Sequence, residues 1–377
     1  MDFINSQISQ YPDLAEAYTT LGELHEKKLW HQLSIALESF LADPKNVRGD
    51  NMYNLYDGFI SLFEARLNQI KFAGLVSSIV RTINPQNAVD FVTRILKNRT
   101  RIGIDASMCL DMEIVMLNLK VGNVDGAQAM LETAKEQLNS INASESVIFS
   151  KYYRALSDYR KVVGPPNEFY NAALMFLSYT SVEDMLPDDR YTLAVDMALA
   201  SITGETIYNF GEVLATPILS SLKNTPSEWL LHIVEAMNTG NVELFHRVVN
   251  EYKTQYFAQP VLNNTHETVV KQKIVLLSIV NIAFERHSHD RVIKFEDIAV
   301  RAGIAVEQVE WVLMRAMSLG LLKGSLDQVA GEVSVTWVQP RVLDRDQLQQ
   351  LSAQLGVWVD KTKNALLTIE DQAAELF

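Results

Sequence analysis

The 377-residue sequence has a single cysteine, Cys109. One thiol excludes an intramolecular disulfide framework. Its surroundings, "DASMCLDMEIVMLNL", repeat apolar residues at helical spacing, so Cys109 is expected as a packed core thiol. Histidine is scarce as well, with seven in all. No His-Glu-x-x-His, no Gly-rich loop followed by Lys-Ser/Thr and no Gly-x-Ser-x-Gly elbow occurs. Positive charge is in deficit: 33 Lys and Arg stand against 46 Asp and Glu, a net charge of -13. Such a chain repels a polyanion on average. Long apolar runs are missing too. The most apolar segment, "IVLLSIVNIAF" (residues 274–284), is too short to cross a bilayer and reads as a buried helix. The opening "MDFINSQISQYPD" has no basic stretch followed by an apolar one, so no secretory signal is expected there. Cytoplasm and nucleus are the expected compartments, with no membrane and no cofactor.

What is present is helix. Hydrophobic content of 48% and charged content of 21% suit a folded protein, and the length allows two or three domains. "AEAYTTLGELHEKKLWHQLSIALESFLADP" gives two amphipathic helices, stopped at Asp43-Pro44. "NLYDGFISLFEARL", "FAGLVSSIVRTI" and "QNAVDFVTRILKNR" continue the pattern, with a break at Asn84-Pro85. Gly122-Asn123-Val124 then marks a turn between two helices, and the second places Ala127, Met130, Leu131 and Ala134 on one side. The same unit returns at Gly240-Asn241-Val242, followed by Phe245, Val248 and Val249. Between them lies "SKYYRALSDYRKVVGPPNEFYNAALMFLSYT", whose Tyr152, Tyr153, Tyr159 and Tyr170 are expected to seal contacts between hairpins. Leu186-Pro187 breaks the chain again. The pattern predicts a degenerate solenoid of helical hairpins, loosely of tetratricopeptide type.

The last eighty residues differ. Phe295, Ile298 and Ala299 face inward on a short helix, and Gly303 turns the chain. Val309, Val312, Leu313, Ala316 and Met317 line a second helix, ended by Gly320. "GLLKGSLDQVAGEVSVTWV" supplies two short strands, with Val333, Val335 and Trp337 alternating against Ser334 and Thr336. Helix, helix, hairpin is the order of a winged helix. A reader of DNA would present Arg, Lys, Asn or Gln on the second helix. Here that helix has Glu307, Gln308, Glu310 and Arg315, and residues 285–345 hold eight Lys or Arg against nine Asp or Glu. Arg286, Arg291 and Lys294 form a weak cluster, and Trp311 suits packing or an interface better than a base contact. Nucleic acid is therefore not the expected partner.

A final helix follows. Leu348, Leu351, Leu355, Trp358, Thr362, Ala365, Ile369, Gln372 and Leu376 recur at three- and four-residue steps, a heptad-like stripe suited to a bundle with partner helices. The cluster His287-Ser288-His289-Asp290 is a candidate for a metal site of the isopeptidase kind. Counted from His289, Asp297 occupies the Ser position and Val300 the Asp position, so the pattern fails. No constellation supports an enzyme.

A helical-hairpin array, a winged helix and a long terminal helix form the plan of PCI-domain scaffold subunits. The blocks "KKLWHQLS", "FISLFEARLN", "FYNAALMFL", "YNFGEVLATPIL", "FEDIA", "SLGLLKGSLDQV" and "TWVQPRVLD" resemble those of PCI subunits of the proteasome lid. PCI subunits of the signalosome or of translation initiation factor 3 are the alternative. The resemblance implies a mostly α fold: a helical-repeat solenoid over 1–265, a PCI domain over 170–340 with its winged helix at about 268–340, and a bundle helix over 344–377. It implies a non-catalytic role in lid assembly. It also implies contacts with other lid PCI subunits, notably non-ATPase subunit 12, with a ubiquitin receptor and a deubiquitinase pair nearby. Expected interface residues are Val333, Val335 and Trp337 of the wing, which in that family pairs with a neighbour by strand addition. Leu348, Leu351, Leu355, Trp358, Ile369 and Leu376 of the last helix complete the set.

Overall fold

The computed structural model describes residues 6–7, 14–42, 51–97, 103–140, 146–286, 291–342 and 345–372. The Asp43-Pro44 stop, the His287–Asp290 cluster and Leu376 lie outside them. The chain divides into two compact units, Met1–Asp184 and Met185–Phe377.

The first unit is built from helices α1 (Ala15–Glu26), α2 (Trp30–Ala42), α3 (Asn51–Gly58), α4 (Gln69–Val80), α5 (Pro85–Leu96), α6 (Ile104–Val121), α7 (Val124–Ser140), α8 (Ser146–Val163) and α9 (Pro166–Tyr179). Local chemistry sets many ends. The Asn68 side chain accepts from the Ile70 and Lys71 amides and starts α4. Pro85 sits in the first turn of α5, where its missing N–H costs nothing. The segment "NLYDGFISLFEARL" departs from the expected helix. The helix stops at Gly58, Phe59 leaves helical backbone at φ -131°, and two short 3-10 turns follow at Ile60–Leu62 and Glu64–Arg66. Phe59 and Phe63 then pack edge to face at 5.1 Å, and Phe63 stacks on Trp30 at 5.7 Å.

Gly122-Asn123 does two jobs. Gly122 adopts φ 91°, and the amides of Gly122 and Asn123 reach the carbonyls of Leu119 and Asn118, a Schellman ending. The Asn123 side chain then accepts from the Gly126 amide and begins α7. Cys109 is buried in α6, and Ala127, Leu131 and Ala134 are buried on α7 with Met130 packed beside them. Tyr152, Tyr159 and Tyr170 are buried, and Tyr153 stacks on Tyr179 at 5.7 Å. The Tyr159 hydroxyl donates to the Gln128 side chain of α7 at 3.2 Å, a contact between neighbouring hairpins, whereas the Tyr153–Tyr179 stack lies within the α8–α9 hairpin.

The second unit contains α10 (Pro187–Thr203), α11 (Phe210–Ala215), α12 (Glu228–Thr239), α13 (Val242–Glu251), α14 (Lys253–Ala258), α15 (Pro260–Thr265) and α16 (Lys271–Glu285). The Gly-Asn device recurs between α12 and α13. Gly240 has φ 61°, and the Asn241 side chain accepts from the Leu244 amide. The apolar segment forms α16, with Ile274, Leu276, Ile279, Ile282 and Ala283 buried. A π turn at His266–Val270 leads into it, and His266 Nδ1 pairs with the Tyr256 hydroxyl at 2.9 Å.

The winged helix follows as β1 (Val292–Lys294), α17 (Phe295–Ala302), α18 (Val306–Ser318), β2 (Leu322–Asp327) and β3 (Glu332–Val338). The sheet order is β1-β3-β2, all antiparallel. Alternation in the sequence predicts two strands; β1, with only three residues, carries too little of it to read. Ile298, Val309, Leu313, Leu322 and Val333 close one core with Ile279 of α16. Trp337 corrects the expected alternation. Val333 and Val335 point inward, but Trp337 is partly exposed. A register shift between Lys323 and Gly324 causes this: Lys323 pairs with Trp337 and Gly324 with Val335, so Thr336 is one extra residue on β3 and rotates its pleat. Gly324 is needed there, since a Cβ would stand 2.1 Å from the Ser334 carbonyl oxygen. The last helix, α19 (Arg345–Gln372), has all its described side chains exposed.

Candidate interaction surfaces

The helix in the recognition position, α18, buries Val309, Val312, Leu313 and Ala316. Its outer face carries Glu307, Gln308, Trp311, Met314 and Arg315. Trp311 is 54% exposed, with the Arg315 guanidinium 5.7 Å from its ring centroid. Glu310 accepts from the Gln328 side chain at 3.0 Å. The weak basic cluster is partly spent: Arg286 pairs with Asp297 at 3.2 Å, and nearby Arg301 pairs with Glu285 at 2.6 Å. Paired cations are poor phosphate ligands, so geometry strengthens what charge already implies.

The expected interface residues separate into two groups. Val333 and Val335 are buried, so their side chains belong to the winged-helix core. Trp337 is at the surface, with the Lys323 ammonium 5.0 Å from its ring. β3 is the central strand, so the sheet edge on the wing side is β2. On α19, Leu348, Leu351, Leu355, Trp358 and Ile369 are all exposed, Trp358 by 68%. An apolar stripe this open leaves a large surface in water.

Two buried polar sites escape sequence reasoning. Lys273 is fully buried on α16. Its ammonium donates to the carbonyls of Ser201 at 2.6 Å and Gly204 at 2.7 Å, at the C-terminal end of α10. The rings of Tyr208 and Phe210 lie 5.6 and 5.0 Å away. Burial pushes the Lys273 ammonium down to about 7. The one signal in the sequence is a lysine at the head of an apolar run. In the first unit, Glu113 of α6 accepts from Ser77 of α4 at 2.5 Å and from Lys151 of α8 at 2.6 Å. Three helices distant in sequence are thereby tied at one carboxylate. Neither site opens on a described cavity, and both are structural. Among the described residues no group of His, Cys, Asp and Glu could hold a metal ion, and no helix is long and apolar enough to cross a membrane.

Helical repeats in sequence before a winged helix with an acidic recognition helix, and an exposed helix after it, define a PCI-type scaffold. Comparison with known proteins makes this specific. A family model described as PSD13 N-terminal repeats matches residues 17–234, and the PCI domain model matches residues 249–337. The 26S proteasome non-ATPase regulatory subunit 13 homolog B of Arabidopsis thaliana is 35% identical over 382 residues, covering 100% of this chain and 98% of the relative. The 26S proteasome non-ATPase regulatory subunit 13 of Dictyostelium discoideum is 30% identical, covering 97% and 95%. Eukaryotic translation initiation factor 3 subunit M of Phaeosphaeria nodorum is 21% identical, covering 76% and 64%. The chain belongs to the family of 26S proteasome non-ATPase regulatory subunit 13, whose members are non-catalytic PCI-domain subunits of the proteasome lid.

Proposed function

We propose that the chain is a structural subunit that helps assemble the proteasome lid and positions its neighbours for ubiquitin-dependent protein degradation. The observation that carries this is the open stripe of α19, Leu348, Leu351, Leu355, Trp358 and Ile369, directly after a winged helix. A helix with so much exposed apolar surface is complete only within a bundle. Leu376 would extend the stripe. The wing supplies the second contact. Trp337 and the β2 edge would meet a neighbouring PCI subunit, with Val333 and Val335 holding the strand in shape from beneath. Non-ATPase subunit 12 is the proposed neighbour, with a ubiquitin receptor and a deubiquitinase pair close by, in cytoplasm and nucleus.

The proposed division of labour follows the chain: repeats over 1–265, a PCI domain over 170–340, and a bundle helix over 344–377. The mechanism is placement. Holding receptor and isopeptidase at fixed distances raises their effective concentration for one substrate. The weaker likeness to an initiation factor 3 subunit does not outweigh the proteasome matches.

Removing residues 344–377 should leave the rest folded and prevent entry into the large complex. The check is affinity purification followed by sedimentation. Co-sedimentation of the shortened chain in normal yield would contradict the reading. Co-purification of the intact chain with initiation factor 3 subunits, without proteasome subunits, would contradict it as well.

A further inference from the structure

A groove of about 600 Å³ runs beside the winged helix, between α18 and α16. Its floor is apolar, with Ile274, Val275, Ile304 and Val312, and Trp311 stands on its wall. Along α18 the groove-lining residues Glu307, Trp311 and Arg315 follow at four-residue steps. They therefore form one stripe, acid then aromatic then base, spanning about 12 Å. Neither Glu307 nor Arg315 has an ion pair among the described residues. On the facing wall, Lys271 is already paired with Glu267 at 2.6 Å, and His246 lies beside it. The groove thus presents one free acid and one free base on either side of an exposed tryptophan.

The complement occurs in the same sequence. On α19, Lys363, Leu367 and Asp371 also follow at four-residue steps, base then apolar then acid. All three are exposed, and Val359 extends the stripe one turn earlier. At about 100° per residue, this face lies roughly 150° around the helix from Trp358, Ala365 and Ile369. The heptad stripe therefore does not account for it. Laid parallel, Lys363 meets Glu307, Leu367 meets Trp311, Asp371 meets Arg315 and Val359 reaches Ile304. The helix stands clear of its own unit, so its own copy leaves the groove open.

We propose that this groove receives the segment 359–371 of α19 from a second copy of the chain. Reciprocal insertion gives a two-fold dimer in which both grooves are filled. The two charge pairs fix the register, and Trp311 supplies the buried anchor. This does not depend on the lid reading, because the opposite face of α19 is used there.

The test is sedimentation equilibrium of the full chain at several concentrations. The intact chain is expected to dimerise at micromolar concentrations. Glu307→Lys alone and Lys363→Glu alone should each weaken the dimer about tenfold, and the two together should restore it to within about threefold. Trp311→Ala should abolish it. All these positions are exposed, and the recovery in the paired variant itself shows that folding is intact. A chain that stays monomeric up to about 100 μM overturns the proposal, including the case in which the helix folds back within one copy. So does a dimer indifferent to the single charge reversals, or one that the paired reversal does not rescue. Lid entry, measured separately with the same variants, distinguishes failure here from failure of the assembly reading.

Discussion

The Lys273 ammonium donates to the Ser201 carbonyl at 2.6 Å from inside an apolar helix. It also donates to Gly204, so one side chain satisfies the last carbonyls of α10, which have no partner within their own helix. The neighbouring rings of Tyr208 and Phe210 give the charge an electron-rich surround. The contact spans about seventy residues of sequence and joins the helical part of the unit to the helix that carries the winged-helix core.

Lys273→Met keeps the apolar stem and removes the donor. Two buried carbonyls lose their partner, so the second unit should lose about 2–4 kcal/mol. Urea unfolding followed by circular dichroism measures this. A change under about 0.5 kcal/mol would show that water replaces the ammonium.

The same lysine makes a pH prediction. Burial holds it near 7 in the folded state, against about 10.4 in an unfolded chain. Between these values the unfolded chain binds more protons, so the contribution to stability rises with pH from about 7 to about 10. The neutral amine keeps two N–H donors for the two close carbonyls, so the contacts survive deprotonation. Stability measured at pH 7 and pH 9 should rise more steeply in the native chain than in Lys273→Met. Parallel slopes would contradict this.

The two Gly-Asn turns separate local from tertiary cost. Gly122 and Gly240 both have positive φ, so alanine at either meets the left-handed penalty of about 1–2 kcal/mol. A Cβ at Gly122 meets nothing within 4 Å, whereas one at Gly240 would stand 2.8 Å from the Leu277 carbonyl. Gly240→Ala should therefore destabilise clearly more than Gly122→Ala. Thermal melts of the two variants decide the order.

Lys151→Met leaves the buried Glu113 carboxylate with the Ser77 hydroxyl and no cation beside it. Lys151 is partly exposed, so the expected loss is about 2 kcal/mol rather than the full value for a buried pair. Adding Glu113→Gln should recover part of it, because a neutral amide needs no counter-charge. Chemical unfolding of the single and double variants tests the sign of this coupling.

No salt-dependent binding of DNA or RNA is expected, because α18 carries Glu307 and Glu310 where a reader needs cations. Fluorescence anisotropy with labelled duplex and single strands checks it. Micromolar binding at physiological salt would reverse the assignment.

Much of this protein is determined locally. Apolar residues at helical spacing produce the hairpins, and Gly122-Asn123 and Gly240-Asn241 end one helix and begin the next through their own backbone and side-chain chemistry. The acidic character of α18 is a property of its composition, and by itself it argues against nucleic acid. The stripe from Leu348 to Ile369 is legible because a period of three and four survives in a lone helix. Other features are settled by neighbours far away in the chain. Trp337 turns outward because β3 bulges at Thr336 where it pairs with β2, and β3 becomes central because Val292–Lys294 pairs on its far side. Lys273 and Glu113 find partners in helices that no local pattern connects to theirs. A periodic pattern states which face of an element is buried. It does not state which polar group waits on the other side, because that depends on contacts made only when distant segments pack.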